Sequence, residues 1–208
     1  MNWQRLALAE KRFLAQYPDG FQDPAMVEII KKHKPEKMTA MAAEAFARPN
    51  FKKPELIVEQ MAKIIGASSM VSMFEKPKFR DFARGLTDAQ KRSLSQGLFE
   101  FLYGDQEKGF GLMLSVLEKG SLAKWTILTV CPAYFAPDKE VYVKPSTTKD
   151  IIRHLEIPNL EYKPRPTFAF YEGYRKQINQ MKKKVHKSLR PSNAAFTGFL
   201  MSTLKDPQ

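Results

Sequence analysis

Apolar residues recur at spacings of three and four along most of the chain, the period of an amphipathic helix. Trp3, Leu6, Ala7, Leu14 and Tyr17 share one face of a first helix, which Pro18-Asp19-Gly20 ends. Asp23-Pro24 sets a capping carboxylate before a proline at the first helical position, and Val27 and Ile30 form the inner face of the helix it opens. Met38, Met41, Ala42, Ala45 and Phe46 keep the pattern until Arg48-Pro49-Asn50, and Ile57, Met61, Ile64 and Ile65 resume it. Thr87 with Gln90 has the spacing of a capping box, in which side chain and backbone satisfy each other's donors at a helix start. Leu94, Leu98, Phe101 and Leu102 follow it on one face. Asp105 opens a helix with Phe110, Met113, Leu114 and Leu117 inward. Gly109 and Gly111 weaken that helix by propensity, which suggests a second backbone packed close by.

Two segments break the pattern. In Lys124–Phe135, Ile127, Thr129 and Val130 suit a strand, while the length and all-round apolarity suit a buried helix kinked at Pro132. The helix is the preferred reading. Glu140–Lys144 reads as one short strand, stopped by Pro145. Ser146 or Thr147 then caps a helix bearing Ile151, Ile152 and Leu155. An extended run with three prolines, Ile157–Pro166, leads to a long helix from Phe168 to about Leu189, and a last helix holds Phe196, Phe199, Leu200 and Leu204. The expectation is an all-α fold: a single multihelical globular domain over residues 1–208 with one short strand near 140–144. Arg48–Pro54 is the best candidate for a subdomain joint.

Composition narrows the class. The chain has 208 residues, 43% of them hydrophobic and 27% charged, which is enough apolar material for a core without disulfide staples. The single cysteine, Cys131, excludes an intrachain disulfide. The N-terminus carries Arg5, Glu10, Lys11 and Arg12 and has no secretory signal pattern, and no apolar run is long enough for a membrane span. A cytoplasmic protein without membrane attachment is expected. The scattered His33, His154 and His186 with one cysteine do not form a zinc pattern, and no P-loop, dinucleotide fingerprint, G-x-S-x-G or H-E-x-x-H occurs. No metal, cofactor or catalytic residue is assigned. Asp138, Glu140 and Lys144 resemble a metal-nuclease signature only loosely: acid and lysine four residues apart stand about 13 Å apart at roughly 3.3 Å per residue in a strand, too far to meet at one metal.

The net charge of +12 changes the picture most. It concentrates on the long C-terminal helix, where Tyr171, Tyr174, Ile178, Met181, Val185 and Leu189 make an apolar stripe. Arg175, Lys176, Lys182, Lys183, Lys184 and Lys187 surround it. One-sided cationic charge attracts polyanions by releasing their counterions. The same lysines also suit a solvated face whose stems cover apolar surface. If the stripe packs on the core, Lys182, Lys183, Lys184 and Lys187 stand in water. The functional expectation is a non-enzymatic protein that associates with DNA or RNA backbone through this helix. An alternative is a protein-interaction module for acidic partners, built on the Phe196–Leu204 helix or a Met-rich face. An enzyme of unidentified reaction comes third. Lys144, between Val143 and Pro145, is expected to run its stem through apolar surroundings and to pair with a buried carboxylate or hold an anion.

The segment from Lys124 to Ile178 carries Trp125, Pro137, Tyr142, Lys144, Pro145, Leu160, Tyr162 and Tyr171 or Tyr174. In this order they are similar to a conserved domain of uncharacterised bacterial proteins with a (Phe/Tyr)-(Val/Leu)-Lys-Pro motif, and Met70–Phe82 also resembles that family. The family's C-terminal Asp-x-Gln-Ser-Phe-x-Trp motif is absent, with Asn193–Leu200 as a degenerate counterpart. The resemblance implies a helical fold and brings no activity with it.

Overall fold

The computed structural model describes residues 1–204, and helices form wherever the three-and-four period runs. Eleven α-helices are present among the described residues: α1 (Trp3–Gln16), α2 (Pro24–Lys31), α3 (Pro35–Ala45), α4 (Pro54–Ala67), α5 (Glu75–Gly85), α6 (Asp88–Tyr103), α7 (Gln106–Glu118), α8 (Trp125–Phe135), α9 (Pro145–His154), α10 (Phe168–Lys182) and α11 (Asn193–Thr203). The fold is all-α. Chain contacts divide it into two compact units, one from residues 1–32 with 137–208 and one from 33–136. Arg48–Pro54 lies inside the second unit, as a 3-10 turn (Arg48–Lys52) and the start of α4.

The short strand expected at Glu140–Lys144 is not found. The segment pairs with no strand among the described residues. Its backbone groups are met by side chains instead: Asn193 Nδ2 donates to the Glu140 carbonyl at 3.0 Å, and the Val141 amide donates to the Tyr171 hydroxyl at 3.4 Å. A single β-rich segment in a helical chain has no edge to join, so buried side chains take over the role of a neighbouring strand.

In the first unit, α1 buries Leu6, Ala9 and Phe13, each one helical turn from the next, and leaves Trp3 44% exposed. On α2 the buried residue is Met26 rather than Val27. Phe13 meets Phe199 of α11 edge-on at 5.3 Å between centroids, and Phe196, Phe199 and Leu200 are wholly buried. α11 is capped by Ser192, whose hydroxyl accepts from the Ala195 amide. Lys144, not Ser146 or Thr147, precedes α9, because Pro145 takes the first helical position without needing a donor.

In the second unit α4 supplies the wholly buried Ile57, Ile64 and Ile65, and Trp125 of α8 is 1% exposed. The capping box of Thr87 and Gln90 is formed, and the Asp105 side chain accepts from the Lys108 amide. α8 is a helix with Pro132 inside it, as its length and all-round apolarity favoured. The α6–α7 contact is backbone against backbone. A Cβ on Gly97 would stand 2.8 Å from the Met113 nitrogen, and one on Gly109 would stand 2.3 Å from the Phe101 nitrogen. Gly111 has open space around it, so only Gly109 of the two α7 glycines answers to a close approach. Among the described residues no helix is long and apolar enough to cross a membrane.

Candidate nucleic-acid interface

α10 carries the apolar stripe read from the sequence: Tyr171, Tyr174, Ile178 and Met181 are fully buried. Burial raises the Tyr171 phenol well above its ordinary pKa, with the Glu140 carboxylate adding to the shift. The helix stops at Lys182, about two turns earlier than the pattern suggested. Two local bonds favour the exit. The His186 amide donates to Glu10 Oε1 of α1 at 2.6 Å, and the His186 imidazole Nδ1 accepts from the Ser188 amide at 3.4 Å, opening a 3-10 turn at Lys187–Leu189. That turn sits against Gly20, whose backbone φ is +61°, and a Cβ there would meet Ser188 Oγ at 2.3 Å. The result is a basic corner fixed on α1 and on the turn that follows it.

The six cations assigned to this helix fall into two groups. Arg175 Nη1 pairs with Glu140 Oε2 at 2.7 Å, and its side chain is only 13% exposed. The Tyr171 hydroxyl donates to the same oxygen at 2.7 Å, and Lys139 Nζ stands 3.6 Å from the other carboxylate oxygen. Arg175 is therefore a structural cation of a buried cluster. Lys182, expected in water, is 8% exposed; its Nζ lies 3.7 Å from Asp138 Oδ1. Burial lowers its pKa, and Asp138 opposes that shift. Its place four residues after the buried Ile178 sets it over the core-facing side of the helix. Lys176, Lys183, Lys184 and Lys187 are exposed and make no ion pair among the described residues. A shallow groove of about 560 Å³ runs along α10 past Arg175, Lys176 and Asn179, with Glu172 at its edge.

Lys144 is exposed and makes no ion pair among the described residues, so its stem does not run through the apolar interior. The buried carboxylate it was expected to seek is Glu140, and Arg175 and Lys139 hold that one. The aromatic residues Tyr171 and Tyr174 are core, and Phe196, Phe199 and Leu200 are covered, which removes the α11 face as a docking surface. Cys131 is 1% exposed and burial pushes its thiol far up, so it does not act as a nucleophile. Among the described residues no group of three or more His, Cys, Asp or Glu is placed to hold a metal ion.

Sequence reasoning missed Glu140 as the centre of the buried cluster. Its signal was a charged residue next to Val141 and Val143 in a segment too apolar to be a loop. It also missed Phe74, the most exposed large apolar side chain at 75%. No family model, no curated protein and no solved structure matches the chain, so its own geometry carries the functional argument.

Proposed function

We propose that this is a non-enzymatic cytoplasmic protein that associates with the phosphate backbone of DNA or RNA without strong sequence preference, through the basic corner at the end of α10. The observation that supports the reading is the exposure of Lys176, Lys183, Lys184 and Lys187 without carboxylate partners, in a chain of net charge +12. Unpaired cations on one surface hold condensed counterions loosely and release phosphate-bound ones on contact, which makes such binding strong at low salt and weak at high salt. Arg175 and Lys182 take no part, because contacting a phosphate would require breaking their bonds to Glu140 and Asp138.

The test is fluorescence anisotropy of a short labelled duplex titrated with protein at several salt concentrations. The parent should bind at low salt and lose affinity steeply as salt rises. Changing Lys183, Lys184 and Lys187 together to Gln should flatten the log–log salt slope by about one for each phosphate that a lysine no longer neutralises, while stability moves by less than about 0.5 kcal/mol per residue. A parent that binds neither duplex nor single strand at low salt overturns the reading.

A further inference from the structure

The most exposed apolar side chains of the molecule are neighbours. Met73 is 74% exposed and Phe74 75% exposed, in the turn that enters α5. The turn is built to hold them there. The Ser72 hydroxyl accepts from the Phe74 amide at 3.2 Å, and the Ser72 carbonyl accepts from the Glu75 amide at 3.0 Å and the Lys76 amide at 3.3 Å. A bonded turn that keeps a phenyl ring in water forgoes on the order of 2 kcal/mol of burial, so folding alone does not account for the ring.

Further along α5 the surface is cationic and concave. Arg80 and Arg84 line a groove of about 590 Å³ with Lys63 of α4 and Lys91 of α6, over a floor of Val58, Ala62 and Ala83. Lys63, Arg84 and Lys91 have no ion pair among the described residues, and Arg80 bonds only its exposed neighbour Asp81. Glu55 and Glu59 stand on the α4 wall. From Phe74 to Arg84 is ten residues, about 15 Å at a rise of 1.5 Å per residue.

We infer that Phe74 and the α4–α5–α6 groove form a track for single-stranded nucleic acid in the second unit. A base stacks on the exposed face of Phe74, as bases do on aromatic side chains beside cations in proteins that take single strands. Arg80, Arg84, Lys63 and Lys91 receive the phosphates that follow. The carboxylates of Glu55 and Glu59 repel phosphate from the α4 wall and accept hydrogen bonds from exocyclic base amines, so the backbone is held on the α5 side. A duplex hides its base faces in the stack, and the track therefore discriminates against it. The inference rests on the nucleic-acid reading for the class of partner, but not on the basic corner.

The test compares a labelled single strand of mixed sequence with its duplex, at low and moderate salt, for the parent, Phe74→Ala, Arg80→Gln with Arg84→Gln, and the triple corner variant. Phe74 is exposed, so its alanine variant should melt with the parent. Phe74→Ala should weaken single-strand binding on the order of ten-fold and change duplex binding less than two-fold. The arginine pair should lower the single-strand salt slope by about two. Single-strand binding unchanged by Phe74→Ala overturns the track even where the corner variant loses duplex binding, which leaves the reading of the corner standing. Single-strand binding that needs Phe74 but ignores the corner lysines supports the track and overturns the corner. Phe74-dependent binding to vesicles of anionic phospholipid, with no binding to either nucleic acid, overturns both in favour of a lipid surface.

Discussion

Gly109 and Gly111 lie two residues apart on α7, and alanine at the two positions should act in opposite directions. At Gly111 a Cβ meets nothing within 4 Å, and the residue is exposed in mid-helix. Alanine there removes glycine's entropy penalty and should stabilise by about 1 kcal/mol. At Gly109 the added Cβ would stand 2.3 Å from the Phe101 nitrogen, 2.6 Å from the Gly97 carbonyl oxygen and 2.9 Å from the Glu100 carbonyl carbon. Ordinary contact begins near 3.4 Å, so α6 and α7 must separate by roughly 1 Å. All three neighbours are backbone, and no rotamer change relieves the clash. Overpacking of this kind costs about 3 kcal/mol at the upper end of its usual range, and the helix-propensity gain offsets about 1 of that. A net loss of about 2 kcal/mol follows. The two variants should then differ by about 3 kcal/mol, which separates their urea midpoints by on the order of 1 M. Denaturation followed by far-UV circular dichroism reads this directly. Two alanines that shift the midpoint in the same direction would refute the backbone-to-backbone crossing.

Arg175→Ala should destabilise by about 3 kcal/mol, since it strips the nearest cation from a carboxylate that is 2% exposed, whereas Glu140→Gln with Arg175→Met should recover most of that loss in a denaturant titration. Lys182→Met should stabilise by about 1 kcal/mol at neutral pH, because it buries an apolar chain where an ammonium is now desolvated. The folded state gives up the Lys182 proton at lower pH than the unfolded state does, so the parent should gain stability as pH rises through that alkaline window, and the methionine variant should show no such rise. Glu100 accepts from Lys108 Nζ at 3.0 Å and from the Asp105 amide at 3.2 Å, which lowers its pKa, Lys108 acting most. Its contribution is complete above the unfolded-state value and is lost as pH falls through the folded one. Lys108→Gln should move the Glu100 carboxyl titration, followed by NMR, upward toward the ordinary carboxylate range.

Elements whose apolar period is long and regular were legible in the sequence, and those decided by tertiary partners were not. The capping box at Thr87, the Asp105 cap and the core faces of α4 and α6 follow from local spacing and appear as expected. The Glu140–Lys144 segment has strand composition, but its conformation is set by Asn193 and Tyr171, which lie more than 30 residues away. α1 shows the same limit: Trp3 and Leu6 fit one apolar face, yet packing on Phe199 selects Leu6, Ala9 and Phe13. Gly109 gave a correct hint of a close backbone, and Gly111, identical in one dimension, gave a false one, because only the crossing partner distinguishes them. The Met73–Phe74 turn carried no periodic signal at all, since exposure of two apolar residues is a property of the surrounding fold.

The division of charge on α10 follows from the helical period. Arg175 comes four residues after Tyr171 and Lys182 four after Ile178, and both of those earlier residues are fully buried. Side chains at i and i+4 lie on the same face, so these two cations are carried over the core side and must find carboxylates there. Glu140 and Asp138 supply them from the segment that leads to α9. Lys176 and Lys183 come one residue later, turned about 100° further around the axis, and both are exposed. Adjacent lysines in one run thus acquire different work: one flank fixes the 138–140 segment to α10, and the next stays unpaired in water. A polyanion can recruit the second set without dismantling the first, so binding at the corner should leave the Glu140–Arg175 pair intact. Arg175→Lys tests this separation. A lysine there keeps the charge but loses the guanidinium geometry that Glu140 accepts. It should lower stability by about 1–2 kcal/mol and leave duplex affinity within two-fold of the parent. An affinity that falls in step with stability would show that the structural and surface cations act as one set.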